Sequence, residues 1–494
     1  MTLPIGRGTE WVWWMLLVSI PITSFPLVEH TIGGDTVSPL ALVPLVFLVA
    51  AWLVPKLVRG ESLPSEAGPL LLFAVIAISS TLLAQFLPIE PYKGQTVLSR
   101  SLRGLATLGI GLSFYLCASL ICYDRSRTLA SMRAIAAGGL LALLWSAAQA
   151  WYILFIEGYI PPLLNQIHRF VSVRDLFWDR VTGMAFEPSW FGNQLVTLYL
   201  PLWLASVVSG VSAFGRARKL VTIEAGLLVL AVAMLLLSRS RLSLVSSLLM
   251  SAALIGYGLW RATGWLLRLG CRSGRTYSAG LSRGLQLVLL LVGVIGLAAG
   301  LMGVARAAIE RDARTSRLLS TPTQFDSIRS ENPYETVYAV ANRATFAERL
   351  VYWRAGFWPF ERYPVLGVGL GNAGFFFEDG LPAYGHQLVE IKNLLDPVNP
   401  NFPNPKSLWL RLLAETGLVG FSAFLIWLGV LAAGGIALAK RARGVDRVIG
   451  VAGLLAILAQ VSEGFSLDTF ALPQLWIVLG LLAAAARRHR EPYG

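Results

Sequence analysis

Long apolar runs recur about a dozen times along the chain, broken once by a polar segment from Val304 to Lys406. Stretches such as Leu40–Val58, Leu105–Ile121, Leu285–Leu301 and Gly417–Leu438 approach or exceed the helical length that crosses a hydrocarbon core of about 30 Å. In lipid a backbone must satisfy its own hydrogen bonds, so helices are the expected spanning form. The predicted spans are 11–29, 38–58, 68–87, 104–122, 132–156, 184–208, 220–237, 241–260, 284–303, 407–438, 446–462 and 470–486. This pattern predicts an all-α, polytopic membrane helix bundle of about twelve transmembrane helices. Residues 1–303 carry the first nine, 304–406 form one large, partly helical extracytoplasmic loop, and 407–494 carry the last three.

Composition agrees with that reading. Of 494 residues 55% are hydrophobic and 14% charged, against about 25% charged in a soluble domain. The net charge of +13 raises the question of nucleic acid, but no basic stripe lies on a soluble face. The cations sit instead in short connections between apolar runs, as membrane orientation requires. Trp11–Val28 lacks a small-residue cleavage site and reads as a first span rather than a leader. Cys117, Cys122 and Cys271 suggest no disulfide framework, and the four histidines are scattered, so no metal-ligand cluster is expected.

Loop charge sets the topology. Basic groups follow every even-numbered span: Lys56 and Arg59, Arg125 and Arg127, Arg216 and Lys219, Arg261 and Arg268, Lys440 and Arg441, Arg487 and Arg488. Both termini are therefore expected in the cytoplasm and the 304–406 loop outside. Several arginines fall on the outer side against that trend: Arg100, Arg103, Arg169, Arg174, Arg180, Arg239 and Arg241. Any one of them is explained by snorkelling to lipid phosphates. Arg239 and Arg241, however, sit in a turn of a few residues pinched between two apolar helices, and charge in such a place is usually functional. Guanidinium forks suit a phosphate-bearing ligand there.

Pro161–Arg180 reads as an amphipathic piece on the membrane surface, with Phe170, Val173, Phe177 and Trp178 toward lipid. It leads into Phe186–Leu195, where Pro188 suits a first helical turn and Glu187 the positive helix end. Glu187 is a helix-capping carboxylate or a candidate base. In the large segment, Thr345-Phe-Ala-Glu348 forms a capping box, with Phe346, Leu350, Trp353 and Phe357 on one face of the helix it starts. Arg349 lies in that first turn, where free N–H groups favour an anion; a surface ion pair is the plainer role. The glycine-rich stretch Pro364–Asn372 lacks the flanking elements of a dinucleotide site and reads as a tight turn packed on the bundle. Prolines and asparagines from Gly380 to Lys406 predict an irregular loop carrying His386.

Together these stretches resemble the O-antigen ligase and O-antigen polymerase superfamily of bacterial inner-membrane glycosyltransferases. The resemblance rests on Phe186–Leu195, the Ser238-Arg239 turn, the series from Arg349 and Trp353 to Gly367-Val-Gly-Leu-Gly371, and Ser407–Gly417. It covers most of spans six to ten. It implies a polyprenyl-diphosphate-linked oligosaccharide donor and a glycan or lipid A-core acceptor. It further implies the bilayer and a polysaccharide chain-length regulator as partners, and a periplasmic large loop. It assigns Arg239 and Arg349 to the carrier diphosphate. Arg241, Arg169, Arg174 and Arg180 are further candidates for that anion. No cofactor is expected and, without an Asp-x-Asp pair, no catalytic metal.

One position departs from the family pattern. Many relatives carry a histidine where this chain has Lys406, and an ordinary lysine is protonated near pH 7. Lys406, Glu187 and His386 are the candidates for acceptor activation, and the lysine leans the reading toward a polymerase of surface polysaccharide repeats over a ligase. A transporter or flippase is the alternative from another class; no acidic or histidine relay is evident inside the spans to support it. A scaffold whose outer loop binds a partner is the third.

Overall fold

The computed structural model describes residues 6–32, 37–156, 159–215, 222–272 and 346–491. Met1–Leu244 with Val351–Gly494 form one unit, and Val245–Leu350 a second.

In chain order the first unit begins with α1 (Arg7–Ser19), α2 (Pro26–Ile32), α3 (Leu42–Val58), α4 (Gly68–Leu83), α5 (Val97–Ile121) and α6 (Arg125–Phe155). The short helix α7 (Pro162–Arg169), α8 (Pro188–Ser209) and α9 (Ile223–Ser238) follow, and α10 (Arg241–Arg272) starts in this unit and runs into the second. α11 (Ala347–Arg362) returns from the second unit, then come α12 (Val389–Leu395), α13 (Leu408–Arg441), α14 (Gly444–Glu463) and α15 (Gln474–Arg490). Of the described helices, α4, α5, α6, α8, α10, α13 and α14 lie in segments long and apolar enough to cross a bilayer, and α3 and α9 are shorter apolar helices. The protein is an all-α polytopic membrane protein. The predicted span 284–303 and the Thr345 cap lie outside the described residues.

Local chemistry starts these helices. Thr96 and Ser99 exchange side-chain bonds with each other's backbone N–H ahead of α5, a complete capping box. Thr222 caps α9 and Ser407 caps α13. The predicted first span, 11–29, is corrected: α1 stops at Ser19 because Pro21 and Pro26 cannot donate to a continuing ladder. The chain there makes isolated bridges from Ser24 to Ser38 and Ser172 instead.

The core of the first unit lies where α13 packs against α4, α14 and α15, with α5 on the far side of α15. Phe73, Phe424, Trp427, Tyr115 and Trp476 form a buried aromatic chain with centroid spacings of 5.2 to 5.6 Å. Between helices in lipid there is little hydrophobic drive, so such pairs, about 0.5–1.5 kcal/mol each, matter to the packing.

One end of this unit is tied by arginines. Arg488 on α15 bonds Asp446 on α14 (2.6 Å) and the carbonyls of Cys122 and Tyr123, while Arg125 holds the other carboxylate oxygen of Asp446 (2.8 Å). Arg490 pairs with buried Glu66. The opposite end carries the 363–406 loop, the start of α13 and the end of α14.

Candidate functional site

The loop end is built from segments distant in sequence. α9 closes on Arg239, which takes a left-handed conformation (φ 51°, ψ 28°) rare for a residue with a side chain. Ser238 steadies the turn: its hydroxyl donates to the Leu235 carbonyl (2.7 Å) and accepts from the Ser240 N–H (3.3 Å). Ser240 and Ser243 then bond each other at 2.8 Å. With the serines turned inward, Arg239 is exposed, and among the described residues its guanidinium has no hydrogen bond or ion pair. Arg241 opens α10 two residues on.

Phe186–Leu195 packs onto this turn. A Cβ on Gly192 would meet Ser243 Oγ at 2.6 Å, so the approach needs a residue without one. The segment before it also reaches the turn, Val181 N–H donating to Leu237 O at 3.1 Å. Arg174 Nη1 binds Glu187 Oε1 at 2.6 Å and lies over the rings of Phe177 and Phe186. Arg180 also stacks on Phe177 and, among the described residues, has only a long contact, 3.6 Å, with Asp179. Arg174, Arg180 and Glu187 thus share the turn's surroundings. Arg169 forms a two-pronged pair with Asp175 (2.7 and 3.0 Å), and that bond holds the Asp175 carboxyl below its ordinary value. Nearby His168 is fully buried; its Nδ1 accepts from Trp145 Nε1 at 3.3 Å.

Lys406 belongs to a second cluster. Its backbone is left-handed (φ 48°), its N–H donates to Asn404 Oδ1, and its ammonium reaches Glu390 Oε1 at 2.5 Å while lying 4.0 Å from the Tyr352 ring centroid. Tyr352 donates its hydroxyl to the same carboxylate oxygen at 3.0 Å. A carboxylate and an aromatic face both suit a cation. His386 is exposed in the short turn Ala383–Gln387 just before the helix that carries Glu390. Lys93 pins the far end of that helix, its ammonium donating to the carbonyls of Leu394, Asp396 (2.8 Å) and Asn399 (3.0 Å). Burial draws Lys93 below its ordinary value, against the pull of Asp396 and Glu378. Arg349 stands in the first turn of α11, within the second unit.

The glycine-rich stretch explains a break in α13. Gly417 has φ 61° and ψ −168°, so the helix parts there. Four backbone groups freed by the break find partners in 364–369: Leu418 N–H to Pro364 O (2.8 Å), Val419 N–H to Val365 O (3.2 Å), Val368 N–H to Ala414 O (2.9 Å) and Gly369 N–H to Glu415 O (2.9 Å). Ser80 Oγ donates to both Leu366 O and Glu415 O. Inside a membrane such a break persists only where protein satisfies it.

Just before the break, Arg411 Nε binds Glu415 Oε2 at 2.8 Å and its Nη1 binds the Asp468 carbonyl at 2.5 Å. One helical turn of spacing puts the two side chains on one face. Asn193 of α8 donates to Glu463 Oε2 (3.1 Å) and accepts from Gln474 (3.2 Å), tying Phe186–Leu195 to the end of α14. The Gly464 carbonyl beside Glu463 accepts from Leu408 N–H at 2.7 Å, which fixes the start of α13. Glu415 in α13 and Glu463 at the end of α14 are buried acidic groups, each with a hydrogen-bonding partner. Arg411 with Glu415 was the missed signal, an i,i+4 charge pair inside an apolar run. Asp468, Glu390 and Tyr352 carried none.

These features define a multipass helical membrane protein with guanidinium groups gathered at the end that holds its irregular loop. Residues 226–425 match the family described as O-antigen ligase. The match takes in the Ser238-Arg239 turn, Arg349, the glycine series and Ser407–Gly417, and it supports the resemblance to the O-antigen ligase and polymerase superfamily. No curated protein matches the chain. The family match supports a function of the O-antigen ligase or polymerase type in general.

Proposed function

We propose that the protein polymerises repeat units of a surface polysaccharide, taking the growing glycan from a polyprenyl-diphosphate carrier at the periplasmic side of the bacterial inner membrane. The basic end of the bundle is then cytoplasmic and the loop end periplasmic, as the positive-inside pattern expects. The observation that carries the reading is Arg239, displayed by a serine-braced turn with no partner of its own among the described residues. A guanidinium so held suits a diphosphate, whose negative charge grows as the glycosidic bond breaks. Arg174, Arg180 and Arg241 add positive charge around the same turn, and Arg169 lies on the preceding surface segment. Arg349 takes the same ligand by resemblance, and its first-turn position suits an anion.

In the proposed step an acceptor hydroxyl attacks the anomeric carbon from the face opposite the diphosphate, inverting it. The carbon–oxygen bond to the carrier breaks, the diphosphate leaves with the electron pair, and the hydroxyl proton passes to a base. No metal enters. Glu187 and His386 are the proposed bases, and Lys406, held by Glu390, orients the acceptor. The family's description as O-antigen ligase favours a second reading, single transfer to a lipid A-core acceptor. The broken helix α13 is a feature that suits a transporter, but backbone of 364–369 fills the break.

Reconstitution with a polyprenyl-diphosphate oligosaccharide tests the proposal. Ladders of repeat units support polymerisation, a single product on lipid A-core supports ligation, and carrier-free solute uptake without glycan products refutes both. Arg239→Ala and Arg349→Ala should each abolish extension at normal protein levels. Wild-type turnover in both removes the diphosphate assignment.

A further inference from the structure

At the loop end lies a cavity of about 180 Å³, open to solvent, between the first turns of α5, the loop before Lys406, and the start of α13. Its chemistry differs from that of the arginine turn. Arg100, Arg103 and Arg411 bring guanidinium groups, Glu415 and Asp468 bring carboxylates, and Thr107 and Thr469 bring hydroxyls. Arg411 is committed to Glu415 at 2.8 Å and to the Asp468 carbonyl, so that pair forms a fixed floor. Arg100 lies 4.3 Å from the Phe402 ring centroid and reaches toward the Gly371 carbonyl. Arg103, one turn further along α5, is exposed and makes no hydrogen bond or ion pair among the described residues. Asp468 Oδ2 is buried without a hydrogen-bond partner among them.

Two features of this lining point to its occupant. Like charges three residues apart on a helix are unfavourable, and they are worse at a helix N-terminus, whose dipole is already positive. Arg100 and Arg103 stand in that arrangement. An anionic group in the cavity relieves it. Against a doubly charged phosphate stand two carboxylates in the same wall, which would repel it. Among the described residues the lining carries three guanidinium groups against two carboxylates, an excess of one positive charge. A ligand with a single negative charge and several hydroxyls balances it, because carboxylates and threonines accept from or donate to hydroxyls while guanidinium takes the anion.

We infer that this cavity is a subsite for a carboxylate-bearing sugar, a hexuronate residue of the glycan substrate, with Arg103 binding its carboxylate. The assignment rests on the glycan-transfer reading above and narrows its substrate to acidic polysaccharide.

The full-length protein in detergent, titrated with methyl β-glucuronide, methyl β-glucoside and inorganic pyrophosphate and followed by saturation-transfer NMR, tests this without turnover. The glucuronide should bind about tenfold or more tightly than the glucoside, as expected for one charge-assisted contact. Arg103→Gln, a change at an exposed side chain, should remove that preference, and Thr107→Val should weaken both sugars. Equal binding of the two glycosides, or a preference unchanged in Arg103→Gln, overturns the subsite. So does displacement of the glucuronide by pyrophosphate at equal concentration, which would give the cavity to the carrier. A protein that transfers carrier-linked glycan normally but shows no glucuronide preference refutes the subsite and leaves the transfer reading intact. Glucuronide preference in a protein inactive with every carrier-linked donor supports the subsite and counts against transfer.

Discussion

Gly417→Ala is the sharpest test of how α13 is built. The residue sits at φ 61° and ψ −168°, a region open almost only to glycine, which costs an alanine about 1–3 kcal/mol. Its Cβ would also lie on the carbonyl of Val365, which is backbone and cannot swing aside. Gly367 opposite is equally constrained, at φ 70° with a Cβ that would strike the Ala414 carbonyl. Overpacking adds about 1–3 kcal/mol, so the total is roughly 2–6 kcal/mol. Gly429, in the same helix, provides the control: nothing lies within 4 Å of its Cβ position, and alanine there should gain up to about 1 kcal/mol in helix propensity. The assay is an apparent melting temperature by intrinsic fluorescence in detergent, with Gly417→Ala, Gly367→Ala and Gly429→Ala compared at one heating rate. The first two should melt several degrees below wild type and the third at or above it. Gly417→Ala that melts with Gly429→Ala would refute the idea that the break is held by the 364–369 backbone.

Other expectations follow from single contacts. His168 is pushed down to about 4 by burial, with Asp175 opposing, so the folded state binds its proton less readily than the unfolded chain at 6.5. Stability from this group is full above about pH 6.5 and falls as pH drops toward 4, by roughly 3 kcal/mol, and His168→Phe should flatten the pH dependence of the melting temperature. Asp446→Ala leaves Arg488 buried beside an empty site and should cost about 3–5 kcal/mol, read as lost monodisperse protein on size exclusion; full recovery would show the clamp is dispensable. Glu463→Ala strands the Asn193 amide and should lower stability by about 1–3 kcal/mol, whereas Glu463→Gln should restore most of it through its own carbonyl.

Several elements are legible in the sequence itself. Apolar length predicted helices at α4, α5, α6, α8, α13 and α14, because a bilayer demands the same length of every crossing. The Ser238–Arg241 turn stood out because charge between two apolar helices is conspicuous in one dimension.

Hydropathy and loop charge are local properties, and they sufficed for the helical class and for singling out the candidate rim arginines. Partnerships are not local. Ala-Glu-Thr-Gly would continue as helix on its own; only the arrival of 364–369, some fifty residues earlier in the chain, supplies the hydrogen bonds that let α13 part at Gly417. Lys406 acquires its character from Glu390 and Tyr352, and the cavity beside α5 exists because Arg103, Arg411 and Asp468 meet there. A side chain's charge is written in the chain, but what it faces is decided when helices pack.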